Sequence, residues 1–203
     1  MKSPQILFIT GTDTGVGKTV FAALSTVYLR QNGFRVAALK PLCSGGREDA
    51  RILHAAAGKV LSLDDVNPWS FRSPLAPLLA ARKERKRVRL REVVAHIRRI
   101  AKRFEVVVVE GAGGLLSPLG EGFDSRDLIR ALNAMPIIVC PNRLGAVNQV
   151  RLVLEALPLA TRENARVVLV NPKKPDAASR TNLALLNEFV EPKRLRVIPW
   201  IKV

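Results

Sequence analysis

Nine consecutive residues, Gly11-Thr12-Asp13-Thr14-Gly15-Val16-Gly17-Lys18-Thr19, carry the groups needed to hold a polyphosphate. Glycines let backbone N–H groups approach an anion, and the helix that follows turns its positive end toward it. The Lys18 ammonium adds a full charge, and the Thr19 hydroxyl can ligate magnesium. The general pattern is a glycine, four residues, then Gly-Lys-Ser/Thr. Here it ends in Gly17-Lys18-Thr19, but the first glycine falls one place early, at Gly11, and Thr12 stands where glycine belongs. The chemistry expected is binding of a nucleoside triphosphate with Mg2+.

Two further segments carry groups of the right kind. Lys40-Pro41-Leu42-Cys43-Ser44-Gly45 puts a lysine at the end of an apolar run, where a second ammonium can stabilise negative charge on a transferring group. Asp49 follows within a few residues as a candidate magnesium ligand. Glu110-Gly111-Ala112-Gly113-Gly114 follows four valines. Its small residues permit close backbone approach to a ligand, and a carboxylate beside a phosphate loop is where a magnesium-binding acid belongs. Cys43 lacks a histidine partner in sequence and reads as a small buried residue. His54 and His96 fall on expected helices and read as packing or surface residues.

The elements that must position these groups follow from hydrophobic spacing. Gln5–Thr10, Arg35–Leu39, 106–109, 136–140, 167–170 and 195–198 are short, apolar, β-branched runs, too apolar to be half exposed, and they read as strands covered on both faces. Helical spacing recurs over 18–32, closed by Gly33, over 48–57, stopped by Gly58, and over about 125–133, 146–157 and 176–190. Residues 59–89 are broken by Pro68, Pro74 and Pro77 and give no clear elements. Alternating strands and helices predict a single α/β domain over 1–203, with a central, mostly parallel sheet and helices on both faces. Ligands in such folds bind beyond the carboxyl ends of the strands, where Gly11, Lys40 and Glu110 all fall.

The net charge is +16, and eleven basic residues against two acidic ones lie between Arg82 and Arg103. The same span carries Leu90, Val93, Val94, Ile97, Ile100, Ala101 and Phe104 at helical spacing, so the charges are expected to clothe the outer face of a packed helix. The span has no interleaved aromatics of the kind a stacking platform for single-stranded nucleic acid needs. No run of roughly 18 uncharged apolar residues predicts a membrane helix. The N-terminal residues lack a signal-peptide layout, and two widely separated cysteines suit a reducing cytoplasm.

The chain resembles the dethiobiotin synthetase family. The likeness rests on Gly11-Thr12-Asp13-Thr14-x-Val16-Gly17-Lys18-Thr19, Lys40-Pro41-x-x-Ser44-Gly45, Asn67-Pro68, Glu110-Gly111-Ala112-Gly113-Gly114, Leu144-Gly145-x-x-Asn148, Asn171 and Ile198-Pro199-Trp200, in the family's order. The early glycine of the phosphate loop is itself a family habit. The resemblance implies a P-loop NTPase fold and a homodimer that converts 7,8-diaminononanoate, CO2 and Mg-ATP to dethiobiotin, ADP and phosphate through a carbamate. It implies nucleotide contacts from Gly15, Val16, Gly17, Lys18, Thr19 and Val20, and magnesium held by Thr19, Asp49 and Glu110. It gives Lys40 and Lys18 catalytic roles on the carbamate and the phosphates. Thr14, Ser44 and Gly113 would line the diamine. Leu144, Gly145 and Asn148 of the partner subunit would take the substrate carboxylate, and Asn171, Pro199 and Trp200 would meet the base. The sequence departs from the family in a short stretch between Gly45 and Asp49, in Ala76-Pro77-Leu78, in the segment after Trp200 and in its basic cluster. A partitioning or septum-placement ATPase is the alternative, but its signature lysine is replaced by Thr12 or Asp13. A small-molecule kinase would need an arginine-rich lid after the loop.

Overall fold

A computed structural model describes residues 3–201. Strand β1 (Gln5–Gly11) leads through the glycine-rich loop into helix α1 (Lys18–Gln31), and β2 (Val36–Leu39) follows. Next come a short strand β3 (Leu42–Ser44), α2 (Glu48–Ala56), α3 (Leu63–Val66), β4 (Trp69–Phe71), α4 (Pro77–Lys83) and α5 (Leu90–Ala101). The chain continues through β5 (Val106–Glu110), α6 (Ser125–Leu132), β6 (Met135–Pro141), α7 (Ala146–Ala156) and α8 (Leu159–Asn164). It closes with β7 (Arg166–Val170), α9 (Ala177–Leu186) and β8 (Leu195–Ile198).

The main sheet has the order β2-β5-β1-β6-β7-β8 and all its pairings are parallel. The apolar strand runs are explained by coverage on two sides. Leu7, Ile9, Val106, Val108, Ile137 and Val139 share one core layer with Ala22 of α1 and Leu53 of α2. Phe8, Val107, Val109 and Ile138 share the other with residues of α5, α6 and α7. Because successive strand side chains point to opposite faces, a strand buried on both is apolar along its length, as Val106–Val109 of β5 are, with Glu110 only at its end.

The unreadable stretch 59–89 contains α3, β4 and α4. Strand β4 pairs in parallel with β3, forming a separate two-stranded sheet. Three-residue strands offer too few positions for a period to show, so neither was visible in sequence. Pro77, which reads as a breaker, occupies the first turn of α4, where its missing N–H costs nothing.

The basic cluster needs correction. All eleven basic residues from Arg82 to Arg103 are exposed, but only Arg91, Arg98 and Arg99 lie within α5. The others belong to the end of α4, the connection that follows it and the turn after α5. Several are engaged locally, as in Arg82 with Glu121 and Arg99 with Asp65. The apolar stripe is as expected: Val93, Ile97 and Ile100 of α5 are fully buried. Ile97→Ala should therefore cost about 2–5 kcal/mol, through lost transfer energy plus a cavity, read as a lower urea midpoint with unchanged slope.

Candidate active site

The phosphate loop bridges β1 and α1. A side chain at Gly11 would bring its Cβ to 2.6 Å from Val16 Cγ2, so the loop closes over a position that only glycine can occupy. Gly17, at φ 95°, forms the N-terminal boundary of α1. Lys18 curls back across the loop and donates from Nζ to the Asp13 carbonyl at 2.7 Å. Burial, aided by the nearby Lys40 charge, pulls the Lys18 ammonium down to about 8, with Glu110, Asp49 and Asp13 opposing. An arriving polyphosphate would restore full protonation.

Lys40 and Glu110 follow directly from the sheet register. Leu39 of β2 pairs with Val109 of β5, so the next residues along both strands lie side by side. Lys40 Nζ donates to Glu110 Oε1 at 2.5 Å and to the Gly111 carbonyl at 3.2 Å, and it stands 2.8 Å from Asp49 Oδ2. Thr19 Oγ1 donates to the same Glu110 oxygen at 2.9 Å. The side chains of Lys40 and Glu110 are 5% and 1% exposed, whereas that of Asp49 is 45% exposed, so the acid at the mouth is the one open to solvent.

These positions set the charges. Burial works against the Lys40 ammonium, but Glu110 and then Asp49 outweigh it and hold Lys40 charged beyond the usual lysine range. Burial pushes the Glu110 carboxyl up, with Lys40 opposing. At Asp49 burial also opposes ionisation, but attraction and a hydrogen bond from Lys40 keep the carboxyl below its ordinary value. Cys43 is buried nearby and its thiol is pushed up to about 11, chiefly by burial, which makes it a packing residue rather than a nucleophile. His54 and His96 hydrogen-bond to the carbonyls of Leu61 and Asp65, away from this cluster.

A cavity of about 790 Å³ opens over the cluster, and Thr14, Lys18, Thr19, Lys40, Ser44, Asp49, Glu110 and Gly113 all line it. A second, of about 330 Å³, is lined by Val16, Asn171, Pro199 and Trp200. Gly15, Gly17 and Val20 border both, so the phosphate loop is the wall between them. Gly113 has φ +70°, and a Cβ there would lie 2.7 Å from Ser117 Cβ; both constraints demand glycine.

The expected site residues are thus gathered around the loop, with one group apart. Leu144 is 86% exposed, and Gly145 and Asn148 are exposed beside it at the start of α7. None of the three lines either cavity.

The structure also adds residues that sequence reasoning missed. Ser117 accepts from the Gly114 N–H at 2.9 Å and lines the larger cavity, and Pro74, Leu75 and Pro77 form another wall. Buried Asn67 donates from Nδ2 to the Lys40 carbonyl at 2.8 Å, which explains the Asn67-Pro68 pair as a brace for the lysine strand. A polar residue just before a proline was the available signal for it.

The AAA_26 family model, an AAA domain, matches residues 5–203. Proteins named ATP-dependent dethiobiotin synthetase BioD are similar along most of their length. That of Akkermansia muciniphila is 37% identical over 182 residues, covering 89% of this chain and 85% of the relative. That of Anaeromyxobacter dehalogenans strain 2CP-C is 39% identical over 199 residues, covering 96% and 89%, and that of Bacillus subtilis is 35% identical over 204 residues, covering 95% and 86%. Among solved structures, a ParA family ATPase from Chlorobium tepidum TLS superposes with TM-score 0.62 at 14% identity, covering 98% of this chain and 86% of that one. A putative plasmid partition protein from Borrelia burgdorferi gives 0.61, also at 14%, covering 99% and 89%. At such identity the two structures speak for the fold alone.

Proposed function

The chain belongs to the dethiobiotin synthetase family, and from that premise we propose that it closes the cyclic urea of dethiobiotin from 7,8-diaminononanoate, CO2 and ATP. The observation that carries this reading is the buried Lys40 ammonium, held between Asp49 and Glu110 at the floor of the cavity that Lys18 also lines. One amine of the diamine attacks CO2 and loses a proton, giving a carbamate. A carbamate oxygen attacks the γ-phosphorus and ADP leaves. The second amine then attacks the carbonyl carbon, phosphate departs, and the ring closes.

The carbamate and the triphosphate are both anions, so the site's main task is to hold them together against their repulsion. Lys18, at the loop, neutralises phosphate oxygens. Lys40, at the floor beside Thr19, is placed to stabilise the carbamate and the transferring phosphoryl group. Thr14, Ser44 and Gly113 shape the larger cavity around the diamine. The smaller cavity, beyond Gly15 and Gly17, suits the base, with Asn171, Pro199 and Trp200 against it.

Mg2+ fits the residues present. Glu110 Oε2 is buried and has no hydrogen-bond partner among the described residues, a costly state that a cation or its bound water would relieve. Thr19 Oγ1 and the Asp49 carboxylate are the other oxygen donors, and magnesium characteristically takes few protein ligands alongside phosphate and water. Bound there, it would neutralise charge developing on the phosphates.

A homodimer accounts for Leu144, Gly145 and Asn148. Asn148 and Leu152 (61% exposed) lie one helical turn apart on α7, next to Leu144, and make an exposed leucine-bearing face there. The Ala146 N–H at the start of α7 donates to the Arg143 carbonyl at 3.0 Å, but Gly145 has no side chain to cap the N–H groups that follow, which leaves them to a carboxylate from a neighbouring subunit. Leu152→Glu should convert a dimer into a monomer by light scattering and abolish turnover; a variant that stays dimeric would remove this face from consideration. The two cysteines are buried and free, which suits a reducing compartment such as the cytoplasm. Among the described residues no helix is long and apolar enough to cross a membrane.

The deciding experiment is mass spectrometry of dethiobiotin after incubation with diamine, bicarbonate and Mg-ATP. ATP hydrolysis should require both the diamine and bicarbonate. Hydrolysis that responds to DNA or anionic vesicles and ignores the diamine would defeat the proposal.

A further inference from the structure

A chain of amides, running inward from Asn171 through Asn142 at the wall of the smaller cavity, is largely buried. Asn142, 1% exposed, donates from Nδ2 to the Ser179 carbonyl at 2.8 Å and to Asn171 at 2.7 Å. Its Oδ1 accepts from Asn182 Nδ2 at 2.9 Å, and Asn182 Nδ2 also donates to the Arg143 carbonyl at 2.9 Å. Two of these partners are backbone carbonyls, which can only accept. They settle which end of each amide is nitrogen. Asn182 must present Nδ2 to Arg143, and Asn142 must present Nδ2 to Ser179. The remaining proton of Asn142 Nδ2 then requires an oxygen on Asn171. The Asn171 backbone is itself pinned, its N–H donating to the Ile198 carbonyl at 2.9 Å. Asn171 therefore faces Asn142 with Oδ1 and keeps Nδ2, unpartnered among the described residues, for the cavity it lines.

We infer that Asn142, backed by Asn182, is a positioning residue that fixes the Asn171 amide and so makes the site discriminate 6-amino from 6-oxo purine nucleotides. The inference rests on the reading that Asn171 meets the base. With its orientation locked, Asn171 offers a donor to the acceptor N1 of a 6-amino purine and a spare oxygen lone pair to the adjacent exocyclic amine. A 6-oxo purine places a carbonyl where that amine stands and a proton on N1, so both contacts are inverted. To accommodate it, the Asn171 amide would have to rotate by half a turn, which sets its N–H groups against those of Asn142. Nothing in the phosphate loop or the Lys40 cluster can make this distinction, because those groups meet only the phosphates and the reacting atoms.

The test compares ATP with ITP, which differs from ATP in carrying oxygen in place of the 6-amino group. The wild-type protein should favour ATP in KM by roughly tenfold, the scale of one misdirected hydrogen bond. In Asn142→Ala the ratio should fall toward one. In Asn142→Asp, which offers Asn171 only acceptors, the Asn171 amide should turn over and the ratio should reverse. Asn142→Ser, with a hydroxyl left for the Ser179 carbonyl, supplies the same ratio if the alanine variant does not fold, as judged by thermal melting. A wild-type ratio near one, or an unchanged ratio in a folded Asn142 variant, overturns the inference. Asn171→Ala that leaves both KM values untouched would instead reject Asn171 as the base contact, a distinct failure.

Discussion

Lys40→Ala is expected to lower dethiobiotin formation by roughly a thousandfold while nucleotide binding survives, the scale for removing one group that stabilises developing negative charge. The lysine reaches the loop only through the Glu110 oxygen it shares with Thr19, and it is held by Glu110 and Asp49 rather than by loop backbone. Its loss should therefore appear in kcat, with titration of a nonhydrolysable ATP analogue little changed. Arginine is a poor replacement, since a planar fork cannot reproduce a compact ammonium 2.5 Å from one carboxylate oxygen and 2.8 Å from another. The variant also leaves buried Glu110 without its counter-charge, so a urea melt should accompany the kinetics. Turnover within tenfold of wild type would show that Lys40 serves only to neutralise its neighbours.

The second large effect is at Glu110, where one oxygen collects Lys40 and Thr19 and the other is buried without a partner among the described residues. Glu110→Ala should cost about 3–5 kcal/mol of stability, because it strands a buried ammonium. Glu110→Gln keeps the shape and separates folding from chemistry. It should shift the magnesium dependence of turnover upward by about 10- to 100-fold. A folded glutamine variant with the wild-type magnesium profile would count against Glu110 as a metal-site residue and leave it as the counter-ion of Lys40 alone.

Much of the site was legible in sequence because its parts are local. The strand–loop–helix around Gly11–Thr19 declares itself within one short window. Four successive valines before Glu110 state that a carboxylate ends a doubly covered strand. Other parts were not legible for identifiable reasons. Asn67 supports Lys40 from 27 residues away, through a hydrogen bond that leaves no period. Strands β3 and β4 are three residues each, too short to reveal alternation. The basic residues between Arg82 and Arg103 suggested one charged helix face, because a helical apolar stripe ran through the same window. Charge spacing could not show that the helix begins only at Leu90. Asn142 had no reading at all, since its importance lies in which acceptors surround it.

The sequence by itself determined the kinds of groups and the ends of the strands that carry them: a phosphate loop, a strand-end lysine and a strand-end glutamate. Only the tertiary structure decided that these meet. β2 pairs with β5 rather than with β1, its predecessor in the chain, and the register Leu39↔Val109 then sets Lys40 beside Glu110 across 70 residues. Strands apolar at every position are all equally suited to the middle of a parallel sheet. Their composition is therefore silent about neighbour order, which is fixed by the packing of helices on both faces.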